Sequence, residues 1–325
     1  MLSQLSYTPN DHLILEHFRT RHAIFVHLLH SVPIVPKSLG LLLADRHGDK
    51  MNRRELFKTA FAAAASNLLP GTTRISALGG ITSQTPDSSS PAPNPQLIDD
   101  LVYANRILAD QGVFDAFGHV SVRHAKNPAR FLLSRNLAPA LVTAKDILAH
   151  DLDGNPLDAG DRKPYLERFI HAAIYRARPD VQAVVHSHSP SVIPFGVTAT
   201  PLRPVYHMSA FLGGGAPVFE IRQAAGMTDM LIRDNQLADA LAKSLRENSV
   251  VLMRGHGDTV VGNSIPQVVY RAIYTEMNAR LQAQAAALGT IKFLSAEEAS
   301  KAAAANDGQV LRPWELWKAR IGKID

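Results

Sequence analysis

The sequence predicts an α/β fold, a three-layer α/β/α sandwich, for the part of the chain that follows residue 96. Segments with the spacing of amphipathic helices occur between short apolar runs that fit β-strands. Few of these segments form β-α-β units of regular length, which favours a sandwich. With 46% hydrophobic residues in 325 positions, the chain has enough apolar material for one large core or two small domains.

The predicted elements follow one another from residue 97. Leu97, Ile98, Leu101 and Val102 begin a helix that Gly112 is placed to end. The patterns predict strands over 118–123, 131–134, 182–188, 218–221 and 250–253, and helices over 166–178, 229–245 and 266–288. Ser189-Pro190 predicts one further helix start, because Ser caps helices and Pro fits the first turn. An anion such as a carboxylate would be favoured at that N-terminus.

Residues 1–96 are predicted to form three segments outside the sandwich. Residues 1–50 hold two apolar bursts, both far shorter than the roughly 18 to 20 residues of a membrane span. Residues 51–80 resemble a twin-arginine export signal, with Arg53-Arg54 before a small-residue apolar stretch, so that Met51 would be the true start and the protein periplasmic. The alternative is an ordinary amphipathic helix and a cytoplasmic protein. Residues 81–96 form a Pro/Ser-rich linker, and the folded domain covers 97–325.

Composition excludes some classes of function. The chain has no cysteine, which rules out disulfides and thiolate ligands and leaves histidine and carboxylates as metal donors. Its formal charge is +5, but aromatic residues make up only 6% and are not interleaved with Lys or Arg. A nucleic-acid partner is therefore not expected, and the expected partner is a small molecule.

Three histidines indicate a metal site. Side chains alternate between faces along the predicted strand Gln182-Ala-Val-Val-His-Ser-His188, so His186 and His188 project on the same side. His256 stands in Arg254-Gly-His-Gly257, where the glycines let the backbone turn tightly. Three nitrogen ligands leave a coordination position open for water or substrate, as in a catalytic zinc site. The alternative is that these are ordinary core or surface histidines.

The motifs resemble those of the class II aldolase/adducin family. Glu167 on a predicted helix, His186-Ser-His188 on the next strand and Gly255-His256-Gly257 occur in the family's order, within a match over about residues 97–287. A finer likeness is to decarboxylases acting on 2-hydroxy-3-carboxymuconic semialdehyde and its alkyl relatives. That likeness is carried by Tyr165-Leu-Glu-Arg-Phe-Ile-His171, by residues 186–194 and by Val205-Tyr-His-Met208.

The resemblance implies a fold, an assembly and a cofactor. It implies a central, largely antiparallel sheet, a homotetramer with sites at subunit interfaces, and a divalent cation, Zn2+ or Mn2+. It also implies Glu167 as a fourth ligand or a proton-transferring base, beside the ligands His186, His188 and His256. The alternative for Glu167 is a solvated helix carboxylate paired with Arg168 or Arg162.

A divalent cation with an open position can act as a Lewis acid on a carbonyl or enolate oxygen. It would assist both decarboxylation of a β-keto acid and retro-aldol cleavage, because both reactions leave an enolate. We therefore expect a metal-dependent carbon–carbon lyase, namely a decarboxylase of an acid of the carboxymuconic semialdehyde type. An aldolase acting on an unphosphorylated hydroxy-keto acid and a non-catalytic adducin-like interaction domain are the alternatives.

Further residues are candidates for substrate binding or proton transfer. The candidates for substrate binding are His119, Ser121, Arg123 and Ser134, and those for protonating the enolate carbon are Tyr206 and His207. Arg123 could pair with a carboxylate in a bidentate manner, or could be a surface charge at a strand end. In the family's sugar-phosphate aldolases, Asn usually replaces His119 and a Ser pair replaces Tyr165-Leu166. Both departures argue against a phosphosugar substrate.

Overall fold

The structure is a computed structural model that describes residues 93–324. The predicted extension over 1–50, the export-signal segment over 51–80 and all but the last four residues of the 81–96 linker lie outside the described residues. The described chain forms, in order, α1 (Pro95–Asp110), β1 (His119–Arg123), β2 (Arg130–Ser134), β3 (Ile147–Asp151), α2 (Arg168–Ala177), β4 (Ala183–Ser187), α3 (Ile193–Val197), β5 (Val218–Phe219), α4 (Ile221–Ala225), α5 (Asn235–Leu245), β6 (Val250–Met253), β7 (Gly257–Gly262), α6 (Ile265–Leu288), α7 (Ala296–Asp307) and α8 (Leu311–Ile321).

The strands form one seven-stranded sheet in the order β3-β2-β1-β4-β7-β6-β5. Every neighbouring pair is antiparallel except β5 and β6, which are parallel at one edge. The predicted central, largely antiparallel sheet is therefore confirmed. The middle position belongs to β4, which pairs with β1 on one side and with β7 on the other.

Alternate residues of each strand face opposite helical layers. Val120, Val185 and Val260 pack in one core with apolar residues of α1, α6 and α8. On the other face, Val184 and Val251 pack in a second core with α2 and α5. Burial of each such side chain contributes about 1.5–3 kcal/mol, so the two apolar layers hold the sandwich together. The three-layer arrangement is confirmed, and His186 shares the α2 face with Val184.

The predicted helix start at Ser189-Pro190 is wrong. The Oγ atom of Ser189 donates a hydrogen bond to Oε2 of Glu276 in α6 at 2.5 Å, and the backbone N–H of Ser191 donates to the same oxygen at 3.0 Å. These bonds tie the segment to α6, and a helix begins only at Ile193 and lasts five residues. The anion site expected at a helix N-terminus is therefore not formed there.

The helix predicted over 229–245 begins later than expected. It starts at Asn235, where the side chain of Asp234 accepts from the N–H of Leu237 and caps it. The preceding residues form a loop in which Met230 has a φ of +69°, a conformation that side chains seldom adopt. The carbonyl oxygen of Met230 in this loop lies 3.1 Å from Nδ1 of His256.

Five elements of the structure were not expected from the sequence. They are β3, β7, α4, α7 and α8. β7 begins and ends with glycine, so its apolar run is too short to stand out in the sequence. In the described range, no helix combines the length and the apolar character that crossing a bilayer requires.

Candidate metal centre

The four predicted ligand side chains come together at the end of β4. Glu167 immediately precedes α2, His186 lies in β4, His188 follows that strand, and His256 lies in the turn from β6 to β7. One ligand atom of each residue lies within 4.8 Å of those of the others. Glu167 and His186 are buried, whereas His188 and His256 are half-buried.

Two backbone carbonyls determine which nitrogen of two imidazoles carries the proton. Nδ1 of His186 lies 3.0 Å from the carbonyl oxygen of Asp258, and Nδ1 of His256 lies 3.1 Å from that of Met230. Because a carbonyl oxygen only accepts, each Nδ1 is the donor and each neutral ring has a bare Nε2. Such bonds on the far side of a histidine are typical of metal ligands.

The carboxylate of Glu167 faces these bare nitrogens. Its Oε2 lies 3.6 Å from Nε2 of His186 and 3.6 Å from Nε2 of His256, while its Oε1 accepts from the N–H of Ile232 at 2.9 Å. Burial alone would raise the pKa of Glu167, and the two facing imidazoles would hold the pKa well below its usual range only when they carry a proton on Nε2; with Nε2 bare, a bound cation would take over that stabilising role. Glu167 is buried among these partners, so the alternative of a solvated helix carboxylate paired with Arg168 or Arg162 is not what the structure shows.

The donor set fits a divalent cation. Nε2 of His188 lies 3.1 Å from Nε2 of His256, and burial, with the neighbouring His186 and His256, lowers the pKa of His188 to about 4, so its ring is neutral. Nε2 of His186 is buried and has no hydrogen-bond partner among the described residues. Ligands of one tetrahedral zinc ion with bonds of ~2.0–2.1 Å lie about 3.4 Å apart, close to these separations. Three nitrogens and one carboxylate oxygen suit Zn2+ and related ions.

The glycines beside His256 are required by the backbone. Gly255 has a φ of +66°, which favours glycine. A Cβ atom at Gly257 would lie 1.9 Å from the carbonyl oxygen of Ser187. The turn can therefore approach the segment of His186 and His188 only because this position lacks a side chain.

A cavity of about 420 Å³ opens onto the candidate ligands. Its wall includes Glu167, His186 and His188, together with mainly apolar side chains and two further polar ones, namely Phe117, Tyr165, Leu166, Leu231, His119 and Asn136. A largely apolar cavity of this size with a few convergent polar groups is typical of a small-molecule site.

His119 is the predicted substrate-binding residue that the structure places in the cavity wall. Ser121 lies further along β1, where its Oγ contacts His171 and Tyr175. Ser134 is fully buried at the end of β2, outside the wall. Neither serine is therefore positioned to touch a ligand in the cavity.

Arg123 is not positioned to bind a substrate. Its guanidinium donates to backbone carbonyls near the end of α2 and in the adjoining loops, namely those of Pro128, Tyr175, Arg178 and Val181. The residue is only 7% exposed, so it is also not the surface charge considered as the alternative. Arg123 instead holds the C-terminal end of α2 against β1.

Tyr206 and His207 lie away from the cavity wall of their own chain. The ring of Tyr206 is 6.4 Å from that of Tyr274, and its hydroxyl is buried with no hydrogen-bond partner in the described part of the chain. His207 is exposed at the start of a 3-10 segment, His207–Gly214. Within one chain neither side chain reaches the four candidate ligands.

Some residues of the site carry no sequence signal. The loop before α5 contributes backbone groups, the N–H of Ile232 and the carbonyl of Met230, and backbone groups cannot be recognised from residue type. Tyr165 lies in a quoted motif, and its ring packs 4.6 Å from that of His119. Met230 in the loop before α5 has a positive φ, so the backbone is strained next to the candidate ligands.

Comparison with known proteins agrees with the geometry. Residues 99–283 match the model of the Class II Aldolase and Adducin N-terminal domain. The chain belongs to the class II aldolase/adducin family. It is similar to Decarboxylase tropJ of Talaromyces stipitatus, with 41% identity over 66% of this chain and 90% of that protein.

Other relatives point to the same chemistry. The chain is similar to 3,4-dihydroxyphthalate decarboxylase of Arthrobacter keyseri, with 34% identity over 58% of this chain and 78% of that protein. It is also similar to the solved structure of L-fuculose 1-phosphate aldolase from Glaciozyma antarctica PI12, with a TM-score of 0.54 and 26% identity over 66% and 85% of the two chains. Decarboxylases and aldolases both cleave carbon–carbon bonds, so family membership supports a lyase.

Proposed function

We propose that this protein is a divalent-metal-dependent decarboxylase of a small carboxylic acid whose carboxylate is β to a carbonyl. The observation that carries the proposal is the convergence of Glu167, His186, His188 and His256, the first three of which line a cavity of about 420 Å³. The similarity to two decarboxylases supports the reaction type. A non-catalytic adducin-like domain would have no need of this complete donor set.

His186, His188 and His256 would hold the cation, with Glu167 as the fourth donor. When bound, the cation would supply a Lewis acid that stabilises negative charge on the substrate oxygen as CO2 leaves. The bonds to Asp258 and Met230 keep two imidazoles from rotating. Because both oxygens of Glu167 face fixed partners, the geometry favours the role of ligand over that of a mobile base.

The expected substrate is an acid of the 2-hydroxy-3-carboxymuconic semialdehyde type. In its keto tautomer the C3 carboxylate is β to the C2 carbonyl. The second candidate is an ortho-hydroxy aromatic acid such as 3,4-dihydroxyphthalate, and the similarity to enzymes of that name favours it. In both candidates the carboxylate is attached to a carbon whose neighbour bears an enolic or phenolic oxygen.

The closing proton transfer would involve a second subunit. Tyr206 and His207, the expected donors of a proton to the enolate carbon, lie outside the cavity wall of their own chain. They could act only if a homotetramer, as the resemblance implies, brought them to the cavity of a neighbour. Sedimentation of the purified protein tests this assembly, and a monomer that retained full activity would remove both residues from the mechanism.

The test is CO2 release by the purified protein. Both candidate acids are assayed with Zn2+ or Mn2+, with chelator, and with the variants His186→Ala and Glu167→Gln. We expect metal-dependent release from at least one acid and a loss of at least about 100-fold in either variant. Glu297→Gln, on the exposed face of α7, serves as the matched control and should retain wild-type activity.

The outcomes separate the remaining alternatives. Carbonyl fragments in place of CO2 would show an aldolase acting on an unphosphorylated hydroxy-keto acid. Metal-loaded protein that released nothing from either acid would exclude this substrate class. Protein that bound no metal would contradict the proposal and favour an adducin-like interaction domain.

A further inference from the structure

A buried chain of polar side chains runs from the cavity into the layer between the sheet and α2. Nδ1 of His119 lies 2.7 Å from Nε2 of His171, and Nδ1 of His171 lies 2.6 Å from Oγ of Ser121. The same Oγ lies 2.8 Å from the hydroxyl of Tyr175. All four residues are at most 4% exposed, and His119 is the member that lines the cavity.

This row of side chains is formed by residues on one face of β1 and residues on one face of α2. His119 and Ser121 are two residues apart on β1, so they point to the same side, towards α2. His171 and Tyr175 are four residues apart on α2 and lie on one face of that helix. The two pairs therefore interleave into one continuous row of hydrogen bonds.

Each imidazole in the row has one donor and one acceptor nitrogen. Both rings are buried and their hydrogen-bond partners in the row are uncharged groups, which disfavours a charged imidazole, so both rings are neutral. The row can then be ordered in only two ways. Either the protons point from Tyr175 towards the cavity, or they point from His119 towards Tyr175.

The far end of the row distinguishes the two orders. If the protons pointed from His119 towards Tyr175, Ser121 would donate to Tyr175, and the tyrosine O–H would need another acceptor. Among residues 93–324, the hydrogen bond recorded for that hydroxyl is the one to Ser121. A buried donor without an acceptor is strongly unfavourable. If the protons point from Tyr175 towards the cavity, Tyr175 donates to Ser121, Ser121 donates to His171, and His171 donates to His119. Each hydrogen bond inside the row then has one donor and one acceptor.

We propose that the row of Tyr175, Ser121 and His171 holds His119 as the tautomer with its proton on Nε2, so that His119 presents a fixed N–H donor to an anionic oxygen of the ligand in the cavity. Nδ1 of His119 accepts from His171, which leaves Nε2–H for the cavity. His119 is therefore a substrate-orienting residue and not a fifth metal ligand, although its ring centroid lies 5.1 Å from that of His186. Ser121, His171 and Tyr175 are positioning residues that act through His119.

The inference rests on the proposed function only for the identity of the anion. In His186 and His256 the ring N–H is taken by a backbone carbonyl, and the carboxylate of Glu167 has no N–H, so none of these three residues offers an uncharged N–H donor to the cavity. A fixed donor beside them would orient a carboxylate or enolate oxygen without adding a charge. The apolar residues Phe117, Leu166 and Leu231 lie on the same wall, and a ligand that covered them would exclude water from such a bond and strengthen it.

The proton positions can be measured without any substrate. In long-range spectra of zinc-loaded protein with 15N-labelled histidine, protonated and bare ring nitrogens have different chemical shifts. The variants His119→Asn and His171→Asn assign the two rings by loss of their signals. We expect the proton on Nε2 and a bare Nδ1 in both rings. A proton on Nδ1 of His119 would overturn the proposal, even if CO2 release had been demonstrated.

A second measurement tests whether Nε2–H of His119 donates a hydrogen bond to a bound anion. Phthalate, an unreactive aromatic dicarboxylate, is titrated into zinc-loaded wild type, His119→Asn and His119→Phe. We expect phthalate to shift the Nε2–H signal of His119, and its Kd to rise at least about tenfold in His119→Phe but less in His119→Asn, which keeps an N–H donor. Zinc content should stay unchanged in both variants.

The results distinguish failure of the inference from failure of the proposed function. If phthalate did not bind, or if both variants bound it as the wild type does, His119 would have no role in holding an anion. If zinc were lost, His119 would be a ligand, contrary to the proposal. If the predicted tautomer and phthalate binding were observed but neither acid released CO2, only the proposed function would be wrong.

Discussion

At the candidate centre, single hydrogen bonds decide what each side chain can do. His186 and His256 each have a lone pair available on Nε2, because Nδ1 of each ring carries the proton and donates a hydrogen bond to a backbone carbonyl. Arg123, which the sequence makes a plausible carboxylate receptor, is already occupied by four carbonyls. Residue type alone therefore predicted which four side chains converge, but it did not predict which backbone groups Arg123 contacts.

Gly257 provides a first test at this scale. Gly257→Ala should lower the free energy of unfolding by about 3 kcal/mol and reduce zinc affinity, because the new Cβ would meet the backbone of Ser187. Gly308→Ala is the matched control, since its Cβ would lie 3.5 Å from the nearest heavy atom. Chemical unfolding and metal analysis measure both effects. An alanine variant as stable and as zinc-rich as the wild type would contradict the packing argument.

Asp258 should make stability depend on pH. Burial raises its pKa from 3.8 to about 7, with a smaller opposing effect from the hydroxyl of Ser187, which donates to it. A carboxyl whose pKa is higher in the folded state takes up a proton on folding, so stability should fall as pH rises from about 4 to about 7.

Asp258→Asn should remove this dependence. Measured in chelator, the variant should be more stable than the wild type at pH 8, by up to about 4 kcal/mol, and the difference should vanish near pH 4. Urea unfolding at both pH values provides the comparison. Equal stability at pH 8 would show that the buried carboxyl is not destabilising when ionised.

At the scale of elements, the site depends on where helices begin and end. α2 begins immediately after Glu167, and its C-terminal end is held by Arg123. The loop before α5 delivers two backbone groups to the centre, because α5 begins only at Asn235. Periodicity predicted that both helices exist but not their starts, since caps and loop conformations depend on contacts that are distant in sequence.

Arg123→Lys tests the anchoring of α2. Lysine keeps the charge but cannot reach four carbonyls at once, so the free energy of unfolding should fall by about 2–4 kcal/mol. KM for the carboxylate substrate should not change, because Arg123 lies outside the cavity. Arg320→Lys, an exposed residue of α8, is the control in the same assays. A raised KM with unchanged stability would restore the substrate-binding role.

At the scale of the whole molecule, the described domain is one α/β/α sandwich with the candidate centre at the end of its middle strand. The cavity is bounded by the chain segments before β1 and α2 and by the loop before α5. The segment over 51–80 lies outside the described residues, and we propose that it directs export through its paired arginines.

Export can be tested on the full chain in a bacterial host. Replacing Arg53 and Arg54 by lysine keeps the charge but removes the arginine pair, so the periplasmic fraction should fall at least about tenfold. Fractionation followed by immunoblotting measures it, with Arg74→Lys as the matched control. If both variants distribute as the wild type does, the paired arginines do not direct export.

The sequence by itself determined the family, the layered fold and the four candidate ligands. These are properties of local pattern and residue chemistry: apolar spacing, two imidazoles on one strand face, and glycines beside a third. Only the tertiary structure decided that Arg123 is an anchor, that Ser121 contacts His171 and not the cavity, and that Met230 and Ile232 contribute backbone groups. The reason is physical, because hydrogen-bond partners are chosen by three-dimensional proximity, and β1, α2 and the loop before α5 meet only when the sheet has formed.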